Sequence, residues 1–207
     1  MFSTLPLLKG FVIGAGMIIP LGVQNSYVLS LGIKRNYHFT CATICILCDL
    51  LLMSVGVLGG GALLASNELL LQIMTWGGIV FLSFYGAVFF KSFLYPQVAE
   101  NGEVKNLKTR KTVILTTLAV TLLNPHVYLD TVMIIGSIGS QYNDTDKYIF
   151  LIGTILASFV WFYALSFAAA KMSPWLSKQT VQRGINLVVT LIMWGIALSL
   201  FIGINNK

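Results

Sequence analysis

Charge is what this sequence lacks most. Asp, Glu, Lys and Arg make up 10% of its 207 residues, where a soluble domain carries roughly 25%. Such a chain cannot cover a folded surface with polar groups. That excludes an ordinary water-soluble globule and makes the bilayer its solvent. Deep basic residues are missing too: no Lys or Arg falls far inside any long apolar run. An acid buried there finds no fixed cation, unless it is one of the two histidines. The three cysteines, Cys41, Cys45 and Cys48, share one apolar run. A thiol relay would draw cysteines from both halves of the chain, so these read as small apolar packing residues before redox groups or metal ligands. No contiguous basic patch of the kind a nucleic-acid partner needs is visible either. The opening "MFSTLPLLK" has no basic n-region, and no small-residue cleavage site follows a short core. The first apolar run therefore reads as a retained helix.

What the chain does have is hydrophobic residues, 57% of the total. They gather into six runs near the length of about 20 residues that spans a bilayer: 5–31, 38–64, 69–94, 112–137, 147–170 and 184–204. The expected fold is an all-α membrane protein of six transmembrane helices. Lys34, Arg35, Lys91, Lys105, Lys108, Arg110, Lys111, Lys171, Lys178 and Arg183 fall in one set of loops, against Lys9, Lys147 and Lys207 on the other side. Basic residues mark the cytoplasmic side, which predicts both termini outside and explains the net charge of +6.

The longest hydrophilic stretch, "YPQVAENGEVKNLKTRK" at 95–111, divides the chain into halves 1–94 and 112–207. Three helices per half start the two halves on opposite sides of the membrane, the condition for an inverted repeat within one transport domain. An offset of 105 places Pro20 on Pro125 and Asn25 on Asp130. Gly10 with Gly14, and Gly56 with Gly60, have the spacing that lets helix backbones approach.

The chemistry gathers at two interruptions. "IIPLGVQNSYVL" and "TLLNPHVYLDT" each put a proline inside the first helix of a half. Proline removes a backbone donor and crowds the preceding turn, and in lipid the released carbonyls need other partners. Pro20 with Gly22, and Pro125, are the expected helix breaks, with Gln24, Asn25, Asn124 and Tyr128 as polar groups beside them. Transporters use such half-helix ends to face a substrate. A plain kink in a packed bundle is the simpler alternative for either proline alone.

Asp49 lies about eleven residues into its run, close to the midplane at roughly 1.5 Å per residue. Asp130 follows the second break. Each acid costs about 2.5–3.5 kcal/mol to insert, and such acids are functional candidates by default. His126 stands four residues before Asp130, so a structural His126–Asp130 pair is the competing reading. It leaves Asp49 without a base. Two acids and no deep Lys or Arg make room for a cation: a proton, a sodium ion or a charged substrate. Asp49 and Asp130 are accordingly the expected proton-coupling and substrate-binding acids, with Gln24, Asn25, Asn124 and Tyr128 completing the substrate site. No metal site and no cofactor are expected. Trp76, Trp161 and Trp194 either line a pathway or pack.

These segments carry a resemblance. "AGMIIPLGVQNSYVLSLGIKRNYH", "CDLLLMSVGVLGG" and "AVTLLNPHVYLDT" are similar to the basic amino-acid exporters of the LysE type, and "TWGGIVFLSFYG", "GTILASFVWF" and "QRGINLVVTLIMWGIAL" extend the likeness along nearly the whole chain. Val23 stands where that family usually has a second proline. The resemblance implies efflux of L-arginine, with L-lysine or canavanine as further substrates, across a bacterial inner membrane and driven by the proton-motive force. It allows a homodimer and implies no enzyme activity. Three rivals remain: export of threonine or homoserine, export of a divalent metal, and a membrane thiol oxidoreductase. An intramembrane hydrolase fits less well, since only His126–Asp130 resembles a nucleophile–base spacing.

Overall fold

The computed structural model describes residues 4–20, 22–60, 68–95, 107–124, 127–176 and 178–205. The expectations placed on Pro125 and His126 lie outside them. Among the described residues every regular element is helical.

The first apolar run is two helices, α1 (Thr4–Ile18) and α2 (Val23–Ile33), bent by 78°. Pro20 sits in the bend, where its ring prevents α1 from continuing. Gly22 enters α2 in an extended conformation, without a side chain to cap it. The following loop holds two non-glycine residues in the left-handed region, Arg35 (φ 50°) and Tyr37 (φ 47°), a conformation that costs about 1–2 kcal/mol per residue. It is tied down on one side by Arg35 Nε, which donates to Ala170 O at 3.1 Å.

Helix α3 (His38–Val55) widens into a π turn at Gly56–Gly60, and α4 spans Glu68–Leu94. Helix α5 (Arg110–Leu122) opens with Thr109 as its cap, accepting from Thr112 N at 3.3 Å. After an interruption the chain resumes as a π-helical stretch, Tyr128–Ile135, that runs into α6 (Gly136–Gly139). Helix α7 (Asp144–Lys171), the short α8 (Ser173–Leu176) and α9 (Gln179–Asn205) complete the chain.

Among the described residues, four helical stretches are long and apolar enough to cross a membrane: His38–Gly59, Thr75–Leu94, Thr145–Lys171 and Gln179–Gly203. The bent α1–α2 pair makes a fifth if counted as one span. The run expected to cross at 112–137 with a break inside it comprises two short helical pieces, Arg110–Leu122 and the stretch from Tyr128 to Gly139, neither long enough to cross alone.

Helix α1 lies along α7, while α5 and the π-helical stretch lie along α3. The first segment of each half thus packs on the second segment of the other. Glycine permits the closest approaches. A Cβ on Gly10 would collide with the Phe150 carbonyl, and one on Gly14 would come within 3.0 Å of Thr154 Cα. Gly56 and Gly136 meet back to back where the two wide-turned stretches touch. Helices α4 and α9 pair with each other. Trp194 covers Gly86 and donates to Ser83 O at 3.3 Å, and Trp76 meets Phe201 edge-on. Both tryptophans therefore hold this pair together. Its outer faces expose Leu69, Ile73, Val80, Phe84, Leu191 and Leu198, which suits a lipid solvent. The main core, with Tyr27, Leu31, Cys41, Cys45, Val113 and Phe162, lies between α2, α3, α5 and α7.

Candidate functional site

The two interruptions face one another across a cavity of about 270 Å³. The first contributes Ile18, Pro20, Gly22, Gln24 and Asn25; the second contributes Asn124, Val127, Asp130 and Thr131. Asp49 joins from α3 and Ile196 from α9. Residues of the two halves, among them both acids, thus line one cavity.

Asn25 holds the first break open. Its Nδ2 donates to Ile18 O at 2.7 Å and to Pro20 O at 2.8 Å, carbonyls that lost their helical donors when α1 stopped. Its Oδ1 accepts from Trp161 Nε1 at 3.1 Å. One carboxamide therefore ties the end of α1, the start of α2 and the middle of α7. The N-terminal turn of α2 opens beside it with no side-chain cap, so its amide groups leave a partial positive charge at the cavity.

Asp49 is 2% exposed. Ser158 Oγ donates to its Oδ2 at 2.7 Å, and Gln24 is its other polar neighbour. Among the described residues no base stands against it. Among the described residues the buried Gln24 Nε2 makes no full hydrogen bond. Asn124 is buried at the end of α5, and its main-chain oxygen accepts from Val127 N at 3.1 Å. Asp130 is partly exposed on the π-helical stretch. Of the expected site residues, Tyr128 is turned elsewhere: its hydroxyl donates to Leu122 O at 2.9 Å, at the end of α5.

Three contributors were not picked out from the sequence as part of the site. Thr131 lines the cavity while its hydroxyl donates to Val127 O, Ser158 holds Asp49, and Trp161 holds Asn25. Thr154, Ser158 and Trp161 recur at helical spacing along one side of α7, and that small polar stripe was the available signal. The cysteines are buried free thiols, and Cys41 accepts from Thr117 Oγ1 at 3.3 Å. Among the described residues no three His, Cys, Asp or Glu side chains converge as a metal would need.

Residues 15–203 match the family described as LysE type translocator. The chain belongs to this family. Among its relatives, a protein designated YggA from Aeromonas salmonicida is 49% identical over 203 residues, covering 98% of each chain. The arginine exporter protein ArgO of Pectobacterium atrosepticum is 46% identical, covering 93% of this chain and 95% of its own. ArgO of Escherichia coli K12 is 45% identical over 93% of this chain and 91% of its own. No solved structure matches the chain. The matched LysE region contains every residue that lines the cavity.

Proposed function

We propose that this protein exports L-arginine across the bacterial inner membrane by exchanging it for protons, with L-lysine and canavanine as secondary substrates. The observation that carries this reading is the cavity lined by residues from both broken segments, Asp49 and Asp130 among them. The ArgO names of the relatives point to the substrate, and the site chemistry fits it. The cationic side chain pairs with the acids, which lie among amides able to donate and accept. The α-carboxylate takes the uncapped N-terminus of α2, as half-helix N-termini do for anionic substrate groups.

Energetics favour exchange. A cytoplasm negative by 100 mV opposes outward movement of one positive charge by about 2.3 kcal/mol. Returning one proton for each substrate cation cancels that term and adds the pH gradient. Protonation of an acid and binding of a cation there exclude each other, which couples the two movements. In this reading the chain crosses six times with both termini outside, the two broken segments included. The cross-packing of α1 on α7 and α5 on α3 supports an inverted repeat, and alternating access follows from rocking one half against the other.

The test is flux of labelled arginine in proteoliposomes under imposed gradients, with unlabelled lysine, canavanine and threonine as competitors. The expected result is flux driven by a pH gradient alone, competed by lysine and canavanine and not by threonine. Asp49→Asn and Asp130→Asn should each insert normally and lose flux. Threonine competition with none by lysine would move the assignment to neutral amino acids. Wild-type flux in both acid variants would sink the mechanism.

A further inference from the structure

Between the cavity and the Lys34 end of the molecule, α2, α3 and α5 pack together, and a file of thiols and hydroxyls runs through the apolar core they share. Helix α3 presents Cys41 and Cys45 one turn apart, leading to Asp49 a further turn on. Helix α5 presents Thr117 and Thr121 at the same spacing, with Thr117 bonded to Cys41. Helix α2 supplies Tyr27, which lies beside Cys41 and Cys45, and Gln24, which lies beside Cys45 and Asp49. Thr121 is fully buried, and its hydroxyl has no partner. An orphan hydroxyl in a membrane interior is costly, so a partner that visits in another conformation accounts for it.

Among the described residues, Lys108 and its backbone lie across the end of this seam away from the cavity. Lys108 Nζ lies 4.7 Å from the centre of the Tyr27 ring and donates to the Tyr27 hydroxyl at 3.4 Å. Asn36 clamps the same residue. Its Nδ2 donates to Lys108 O at 3.2 Å, and its Oδ1 accepts from Lys108 N at 2.9 Å.

We propose that the α2–α3–α5 seam is the passage by which the substrate cation reaches the cavity, and that Lys108 latches it shut by occupying the cation site on Tyr27 that an incoming guanidinium or ammonium group takes over. A ring face attracts any such cation, so the substrate competes for Tyr27 with a lysine already there. Burial and the neighbouring Lys34 both keep the Lys108 ammonium below the usual lysine range. Thiols and hydroxyls then line the passage and give a desolvated cation somewhere polar to rest. The inference rests on the exporter reading above for its substrate.

The native Cys41 reports on it. The full-length protein in sealed vesicles is treated from the Lys108 face with two membrane-impermeant methanethiosulfonates, one bearing trimethylammonium and the other sulfonate, and modification of Cys41 is read by mass spectrometry. The expected result is faster modification by the cationic reagent. Lys108→Ala should accelerate it by roughly 2- to 30-fold, the span of a cation–π contact from exposed to desolvated, while Lys108→Arg should stay slow. Equal rates for the two reagents, or a Cys41 that stays inert in both wild type and Lys108→Ala, overturn the proposal. If Lys108→Ala does not accumulate, the wild-type comparison of the two reagents decides by itself. Arginine flux measured in the same vesicles separates the two readings. Flux with an inert Cys41 removes the passage and keeps the exporter; charge-selective labelling without flux keeps the passage and removes the arginine assignment.

Discussion

Replacing Asn25 by alanine tests the architecture of the site most directly. The side chain makes two short donations, to Ile18 O at 2.7 Å and Pro20 O at 2.8 Å, and accepts from Trp161 Nε1 at 3.1 Å. Alanine leaves two carbonyls and one indole N–H unmet in a buried setting. At about 1–2 kcal/mol for each unmet group the loss is roughly 3–6 kcal/mol. At the smaller average of ~0.6 kcal/mol found for hydrogen bonds between membrane helices it is still about 2 kcal/mol. Trp161→Phe removes one bond of the three and should cost about a third as much. Asn25→Asp keeps the acceptor for Trp161 but turns oxygen toward two carbonyl oxygens, so it should be at least as harmful as alanine. The assay is reversible unfolding of the purified protein in mixed micelles, combined into a double-mutant cycle with Trp161→Phe, and arginine efflux from proteoliposomes. Stability within 0.5 kcal/mol of wild type for Asn25→Ala, the ordinary range of a harmless surface change, together with normal efflux, would refute the claim that this carboxamide holds the break.

Two further outcomes are expected. Gly10→Val drives side-chain atoms into the Phe150 backbone of α7. It should destabilise the protein by about 1–3 kcal/mol in the same unfolding assay, whereas Gly195→Ala, where a Cβ meets nothing within 4 Å, should leave stability unchanged or slightly raised. Replacing Cys48, which does not line the seam, by alanine should preserve arginine efflux, with up to about 1 kcal/mol lost from packing; loss of efflux without loss of folded protein would restore thiol chemistry as a rival.

How far the sequence discloses this molecule depends on the kind of information each feature needs. Helix positions were legible, because in a bilayer apolar length and backbone satisfaction leave few options. The break after Ile18 was legible from Pro20, since proline acts through its own covalent geometry. The convergence of Asp49, Gln24, Asn25, Asn124 and Asp130 was expected from the cost of burying them without a base, and the cavity does bring these five together. A break inside the 112–137 run was expected as well, but the 78° bend of the first segment was not legible, because it depends on what the neighbouring helices accept. Ser158 escaped notice, and Trp161 was left between lining a pathway and packing, for a different reason. Small hydroxyls and tryptophans are ordinary in membrane helices, and only the facing partner turns one of them into a ligand for Asp49 or Asn25.

The offset that pairs Asn25 with Asp130 also shows why the two breaks are not chemically equivalent. A broken helix leaves carbonyls that need donors. Asn25 can supply them, because a carboxamide donates as well as accepts. An ionised carboxylate at the matching position cannot, so the second break needs a donor from elsewhere. Tyr128 provides one, with its hydroxyl on Leu122 O at 2.9 Å. Asn25 and Tyr128 are thus turned toward helix ends, and their polarity is used in keeping the breaks open. Because Tyr128 takes the capping role, the second break tolerates an acid on its cavity side, and Asp130 lines the same cavity as Asp49. Exchanging the pair's chemistry, with asparagine at 130 and aspartate at 25, does not merely move a charge. It strips the donors from Ile18 and Pro20 while leaving Leu122 capped, so the first break should suffer the larger loss of stability.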